Sequence, residues 1–503
     1  MAFSSLLSLT LCFLLFFHVC FAQTEQGPGF WPRPYGPKRF QRDECQFERL
    51  NVLEPSRRIQ SEAGVTDVWD ENDDQFQCAG VVVVRHTIEE RGLLLPQYVN
   101  GPKLVYVVQG RGLHGAVLPG CPETFQSSQS QPRSQFSQTR RESQRDEHQK
   151  VRQIREGDVV ALPTGVVQWV YNNGRTPLVL VVAVDTSNRN NQLDPNARLF
   201  LVAGNPQEEL QSQRGEFGRG EAGMDPSRRP GRRERTGNVF SGLDEQLLAE
   251  SFNINTDLAR RLRGEEDFRG IIVRVQRELQ VVTPQQSAEE ERQIREEQSR
   301  ESQTGTGGSG GYINGVEETF CALRLQHNLN DHTETDVFNP RAGRITNVNS
   351  NNLPVLSRLQ LSVQKGILYR NAMLAPYWNV NAHAVHYIVR GNGQVQVVDD
   401  NGNTVFDGQV RAGQVITTPQ NFAVVKKASA AGLEWVSFKT NDNARINQLA
   451  GRVSAMRSMP VDVVANSYQV SREEAMRLKE SREEMTVLSP WSRSRFNVTE
   501  GSE

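Results

Sequence analysis

Lysine is scarce, with eight residues in a chain of 503. Neither charge dominates either, since 57 basic residues face 59 acidic ones for a formal charge of −2. That balance excludes a general polyanion binder and a cationic membrane-surface protein. Cysteine is equally sparse at six, and no CxxC pair or Cys/His cluster has the spacing of a zinc site. Apart from residues 6–22, no apolar run approaches membrane-spanning length. What the chain has instead is nitrogen. It carries 49 Arg, 40 Gln and 33 Asn, which together hold 220 side-chain nitrogens. The length leaves room for about three average domains or two larger all-β ones.

Residues 6–22 are apolar except for Ser8, Thr10 and His18 and end in Cys20-Phe21-Ala22. This pattern reads as a secretory signal peptide cleaved between Ala22 and Gln23, although no Lys or Arg precedes it. Removing it takes away Cys12 and Cys20 and leaves Cys45, Cys78, Cys121 and Cys321 in an oxidising compartment. Disulfides are then expected, and four thiols allow three pairings.

Three polar segments, 127–150, 205–237 and 284–311, cannot supply a core and read as disordered surface inserts. Between them lie short β-branched runs at 81–84, 104–108, 159–162, 166–171 and 178–184. The second half repeats the style at 387–389, 395–398, 415–418, 422–425 and 433–438. Many short strands separated by turn residues predict an all-β sandwich or barrel. The halves are also copies of one another. Residues 247–263 align without gaps on 463–479 with five identities, and the candidate helix caps Asn255 and Ser471 coincide. Upstream, Gly157 and Pro163 correspond to Gly413 and Pro419, and Gly110-Arg111-Gly112 corresponds to Gly391-Asn392-Gly393. Gly110 and Gly157 are 47 positions apart against 22 for Gly391 and Gly413, and the excess of 25 matches the first insert. Duplication with surface insertions, and a helix pair closing each half, accounts for these numbers.

Few motifs carry chemistry. Gly110, Gly112 and Gly115 fit G-x-G-x-x-G after a predicted strand, but Pro119, Gly120 and Pro122 follow where the phosphate-binding helix should begin, so a turn is expected. His383 and His386 are the closest histidine pair, and on a strand a separation of three puts them on opposite faces. The Arg-rich 227–235 lacks interleaved aromatics and reads as solvated charge. The skeleton Gly157-x5-Pro163-x-Gly165-x2-Gln168-x3-Asn172 is more specific and resembles the second cupin motif. That resemblance implies a jelly-roll β-barrel in each half. In metal-binding cupins a His stands at the place of Gln168, and a first motif adds two His and a Glu. Laid on this chain, the ligand places fall on Tyr98, Asn100, Lys103 and Gln168 in the first half, and on Tyr377, Asn379, Ala384 and Val424 in the second. Such a set cannot replace imidazole and carboxylate around a divalent ion. No catalytic, cofactor or metal residue is therefore expected.

Between the halves, a Gly-rich stretch leads into Tyr-Ile-Asn314-Gly315-Val-Glu-Glu-Thr-Phe-Cys321. Flexible sequence before an Asn-Gly step is open to a protease, although a plain turn is the simpler local reading. Residues 23–314 hold 37 basic and 41 acidic residues, and 315–503 hold 20 and 18, giving pieces of −4 and +2. With the signal peptide, the duplicated barrels without ligands and four mature cysteines, this step is similar to the 11S globulin (legumin-type) seed storage proteins. The resemblance covers essentially the whole mature chain. It implies cleavage at Asn314-Gly315 by an asparaginyl endopeptidase into acidic and basic chains. By position, Cys121 and Cys321 match the interchain disulfide, and Cys45 and Cys78 the bond within the acidic chain. It also implies a homo-oligomer, a trimer that becomes a hexamer after cleavage, deposition in seed storage vacuoles, and membership of a family with many allergens. The expected layout is a signal peptide over 1–22, a barrel with helical extension over 23–264, a linker over 265–314, and a second barrel with helices over 315–503. A sequon at Asn497 lies near the C-terminus. The alternatives are a 7S vicilin-type storage globulin, which generally lacks the Asn-Gly step, and more remotely a manganese bicupin such as an oxalate oxidase or decarboxylase.

Overall fold

The computed structural model describes residues 45–119, 151–205, 237–279 and 323–490. Most of the three predicted inserts, together with Ala22, Gln23, Cys121, Asn314, Gly315, Cys321 and Asn497, lies outside them. The described residues fall in one compact unit.

The first half forms two curled antiparallel sheets. Its strands are β1 (Arg57–Ser61), β2 (Gly64–Val68), β3 (Val81–Ile88), β4 (Gly92–Val99), β5 (Lys103–Gln109), β6 (Arg111–Val117), β7 (Val151–Arg155), β8 (Asp158–Leu162), β9 (Val167–Tyr171), β10 (Leu178–Asp185), β11 (Leu199–Leu201), β12 (Ile272–Arg274) and β13 (Gln326–Asn328). One sheet runs in the order β1-β2-β3-β10-β5-β8-β13, and the other β11-β4-β9-β6-β7 with β12 on β4. The second half contributes β14 (Val337–Asn339), β15 (Gly343–Val348), β16 (Ser362–Leu368), β17 (Met373–Asn379), β18 (Ala384–Val398), β19 (Thr404–Arg411), β20 (Val415–Thr418), β21 (Ala423–Lys439), β22 (Ile446–Gln448) and β23 (Val487–Leu488). The long strands β18 and β21 each absorb two of the predicted runs and pair along most of their length. The predicted helical regions each form two helices: α1 (Glu245–Phe252) and α2 (Thr256–Arg263), then α3 (Val461–Tyr468) and α4 (Arg472–Glu480). Asn255 accepts from Leu258 N, and Ser471 forms a capping box with Glu474, so both cap as expected. Gly110, at φ +89°, opens strand β6 and no helix, which removes the phosphate site considered for G-x-G-x-x-G.

Alternation explains why both faces are buried over residues 384–388 of β18 and 435–439 of β21. Ile388 and Trp435 face the core of their own barrel, whereas Val385, Tyr387, Val436 and Phe438 join the core that contains Val81, Val83 and Trp69 of the first half. Segments also cross over between the halves. Leu50 and Leu53, which precede the first barrel, hydrogen-bond to Val405 and Val415 of the second. In return β13, which precedes the second barrel, extends a sheet of the first beside β8. Asp158 on β8 accepts from Gln326 Nε2 at 2.7 Å and Asn328 Nδ2 at 2.6 Å, fixing that strand.

At the junction, Trp69 packs edge-on against Tyr387 with centroids 6.2 Å apart and donates to Leu53 O. Arg85 lies over Trp69, donates to the Tyr387 hydroxyl at 3.2 Å and forks onto Asp67 at 2.8 and 3.0 Å. Asp67 is buried, and its second cation, Arg58, is largely exposed. Removing a buried partner leaves an uncompensated charge, whereas an exposed partner contributes little. Asp67→Ala is therefore expected to lower the unfolding free energy by about 3 kcal/mol, and Arg58→Ala by less than about 1 kcal/mol, in denaturant titrations of the two variants.

Candidate functional site

The cupin ligand places lie where β4 pairs with β9 and where β17 pairs with β21. Register fixes their correspondence, because Gln97 is opposite Gln168 and Tyr377 is opposite Val424. Gln97, not Tyr98, is thus the counterpart of Tyr377, and Val99, not Asn100, the counterpart of Asn379. The strand period of two puts the residues one position away on the other face. Tyr98 stacks on Phe200 at 4.9 Å, and Asn100 is bound to Asn191, Asn196 and the Arg198 backbone. Lys103 and Ala384 do correspond, since they pair with Val184 of β10 and Lys439 of β21, the strands that follow the second motif in each half.

In the first barrel, Gln97, Lys103, His86, His114 and Gln168 are all buried. His114 Nε2 lies 3.2 Å from Gln168 Oε1, and Thr66 Oγ1 lies 3.0 Å from His86 Nδ1. Burial and the nearby Lys103 charge pull His86 down to about 4. Burial likewise takes His114 to about 4, against the opposing bond from Gln168. Burial alone brings the Lys103 ammonium down to about 7. Lys103 thus stands where a metal-binding cupin has a carboxylate, and it repels the cation that the carboxylate would hold.

In the second barrel, His386 Nδ1 meets Ser437 Oγ at 2.6 Å and its Nε2 meets Thr418 Oγ1 at 3.0 Å. Lys426 Nζ donates to the Tyr377 hydroxyl at 2.8 Å and sits over the Tyr377 and Trp435 rings at 5.2 and 5.3 Å. Burial holds the Lys426 ammonium and His386 well below their usual values, and pushes the Tyr377 phenol up. Two lysines, a hydroxyl-bound imidazole, an amide and a phenol do not form a divalent-metal donor set. His383 and His386 are separated as their spacing implies. His386 is fully buried, while partly buried His383 lies 3.9 Å from Cys78 Sγ. Cys45, Cys78 and His383 present ligand atoms within 4.8 Å of one another, but the two sulfurs form a disulfide, so no thiolate is available to a metal.

The interior residues that motif comparison missed are Gln97, His86, His114, His386, Lys426 and Lys439. Lysine usage held a signal for some of them, because four of only eight lysines, Lys103, Lys365, Lys426 and Lys439, are buried in a chain whose cations are otherwise Arg. An amine can shed its proton when buried and a guanidinium cannot, which favours Lys at these places.

Two jelly-roll barrels with eroded ligand places define a two-domain cupin. The cupin family model matches residues 50–213 and 327–476. Among relatives, the 11S globulin of Juglans nigra is 49% identical over 96% of both chains, and the 11S globulin seed storage protein 1 of Carya illinoinensis is 48% identical over 97% of both. The crystal structures of the coconut allergen cocosin and of pumpkin seed globulin each superimpose with a TM-score of 0.73 at 44% identity, covering 89% of this chain and all of theirs. The chain belongs to the 11S globulin seed storage proteins of the cupin superfamily. A vicilin from Capsicum annuum shares the fold, with a TM-score of 0.60, at 16% identity.

The electrostatics of the first barrel can be tested directly. With a folded value of about 7 against 10.5, Lys103 binds a proton more readily unfolded, so its presence costs most stability below pH 7 and progressively less as pH rises towards 10.5. Lys103→Met is expected to stabilise the protein by roughly a few kcal/mol at pH 6 and by little at pH 10, as read from unfolding midpoints across that range.

Proposed function

We propose that the protein is a nitrogen and amino-acid reserve laid down in seed storage vacuoles, processed after Asn314 into an acidic and a basic chain joined through Cys121 and Cys321. The observation that carries this reading is near-50% identity, over almost the full length, to 11S globulins described as seed storage proteins. The named relatives are storage proteins rather than enzymes, and the donor sets of both barrels are unsuited to a divalent metal, which argues against the manganese-bicupin alternative. Asn314-Gly315 falls between β12 and β13, the interval that separates most of the first barrel from the second. An asparaginyl endopeptidase is the processing enzyme of this reading. Polar inserts at surface loops let nitrogen accumulate at little cost to folding.

Assembly through the helical extensions belongs to the same proposal. Leu247, Phe252 and Leu258 on α1 and α2, and Val463, Tyr468 and Leu478 on α3 and α4, are large apolar side chains exposed at the end of each half. Apolar surface at equivalent places of a duplicated chain suits head-to-tail contact between copies, which closes into a ring when the rotation permits. A trimer of the precursor is the ring of this reading, and a hexamer after cleavage is its further step.

Intact mass of the protein purified from its source tissue, before and after reduction, tests this reading. One species resolving on reduction into pieces of 292 and 189 residues, the second beginning at Gly315, is expected. A mature chain that stays whole would contradict the processing scheme.

A further inference from the structure

The interior of the second barrel is rich in hydrogen-bond donors and cations but has no acid to answer them. Lys426 and Lys439 are buried, and no carboxylate among the described residues offsets either charge. Three hydrogen-bonding atoms nearby are idle. Asn379 is fully buried with neither amide atom bonded, and Trp435 Nε1, on the ring beneath Lys426, also has no partner. Such orphaned atoms are costly in a barrel interior unless something fills their valences. Asn379 shares its strand face with Tyr377, whose hydroxyl contacts Lys426. Two of the four ligand places on this face, Ala384 and Val424, carry side chains shorter than the carboxylate and imidazole of a metal-binding cupin. The chemistry of the site is inverted as well, since buried Lys426, whose Nζ lies 2.8 Å from the Tyr377 hydroxyl and 3.5 Å from His386 Nε2, stands in place of acid.

We propose that the second barrel is a binding site for a small oxyanion, recognised by Lys426, Asn379, Trp435 Nε1 and the Tyr377 hydroxyl. A short carboxylate has the acceptor atoms this set lacks: two oxygens can take the Lys426 ammonium together with the amide and indole N–H groups. The first barrel is the internal control. There the unpartnered buried amide atom is Gln97 Oε1, an acceptor, which offers an oxyanion no hydrogen bond.

The test is equilibrium dialysis of radiolabelled acetate against the full-length mature protein in low-chloride buffer at pH 7 and fixed ionic strength. One saturable equivalent per chain is expected. Lys426→Met should weaken it at least about tenfold, the loss typical of one charged hydrogen bond. Asn379→Leu should weaken it as well, and Lys103→Met in the first barrel should leave it unchanged. Absence of saturable uptake by the unaltered protein overturns the proposal, and that result does not depend on any variant folding. Equal uptake by the unaltered protein, Lys426→Met and Asn379→Leu also overturns it, because the acetate would then sit on surface arginines. Far-UV circular dichroism reports whether each variant retains the barrel.

Discussion

The architecture depends on residues 384–388 of β18 and 435–439 of β21 being buried on both faces. One face of each lines the interior of the second barrel, and the other lies against the first half, where Val385, Tyr387, Val436 and Phe438 share a core with Val81, Val83 and Trp69. Apolar burial contributes about 25 cal/mol per Å², so a seam of this kind holds the halves together without any covalent link. The crossing segments add direction to it. Leu50 and Leu53 reach the second barrel, β13 joins the first, and Lys365 of β16 meets Glu434 at 2.7 Å while lying over the Tyr106 ring of the first half. A cut in the interval that holds Asn314 therefore leaves each piece carrying a segment seated on the other.

The barrel interiors are what separates this chain from metal-dependent cupins. Jelly-roll packing requires filled interiors but does not require the filling to be apolar, and each half fills part of its own with buried lysine, histidine and amide. Desolvation lowers the proton affinity of Lys103, Lys426 and Lys439, and of His86, His114 and His386. With the metal-binding donor set replaced, the two barrels remain as densely filled scaffolds.

Much of this was legible in the sequence, for identifiable reasons. Strands such as 159–162 and 415–418 are β-branched runs between turn residues, and burial kept them in the places expected. Asn255 and Ser471 were legible as caps because capping is local chemistry. The ligand places Tyr98 and Asn100 were off by one because the motif spacing shortens before Lys103, and a one-residue slip on a strand exchanges interior for exterior. Register with Gln168 resolves it, and register is a tertiary property. The buried lysines left only the scarcity of lysine as a signal, since no periodicity marks a cation that points inward. Exchange of segments between halves was likewise hidden, because 50–53 and 326–328 are too short to announce a partner.

The most direct test of the shared core is size-exclusion chromatography of protein cleaved at Asn314-Gly315 and then fully reduced, without denaturant. Co-elution of the two pieces as one particle, separating only when urea is added, is the predicted result. Separation on reduction alone would mean that a covalent bond, and not the buried seam between the barrels, holds the halves together.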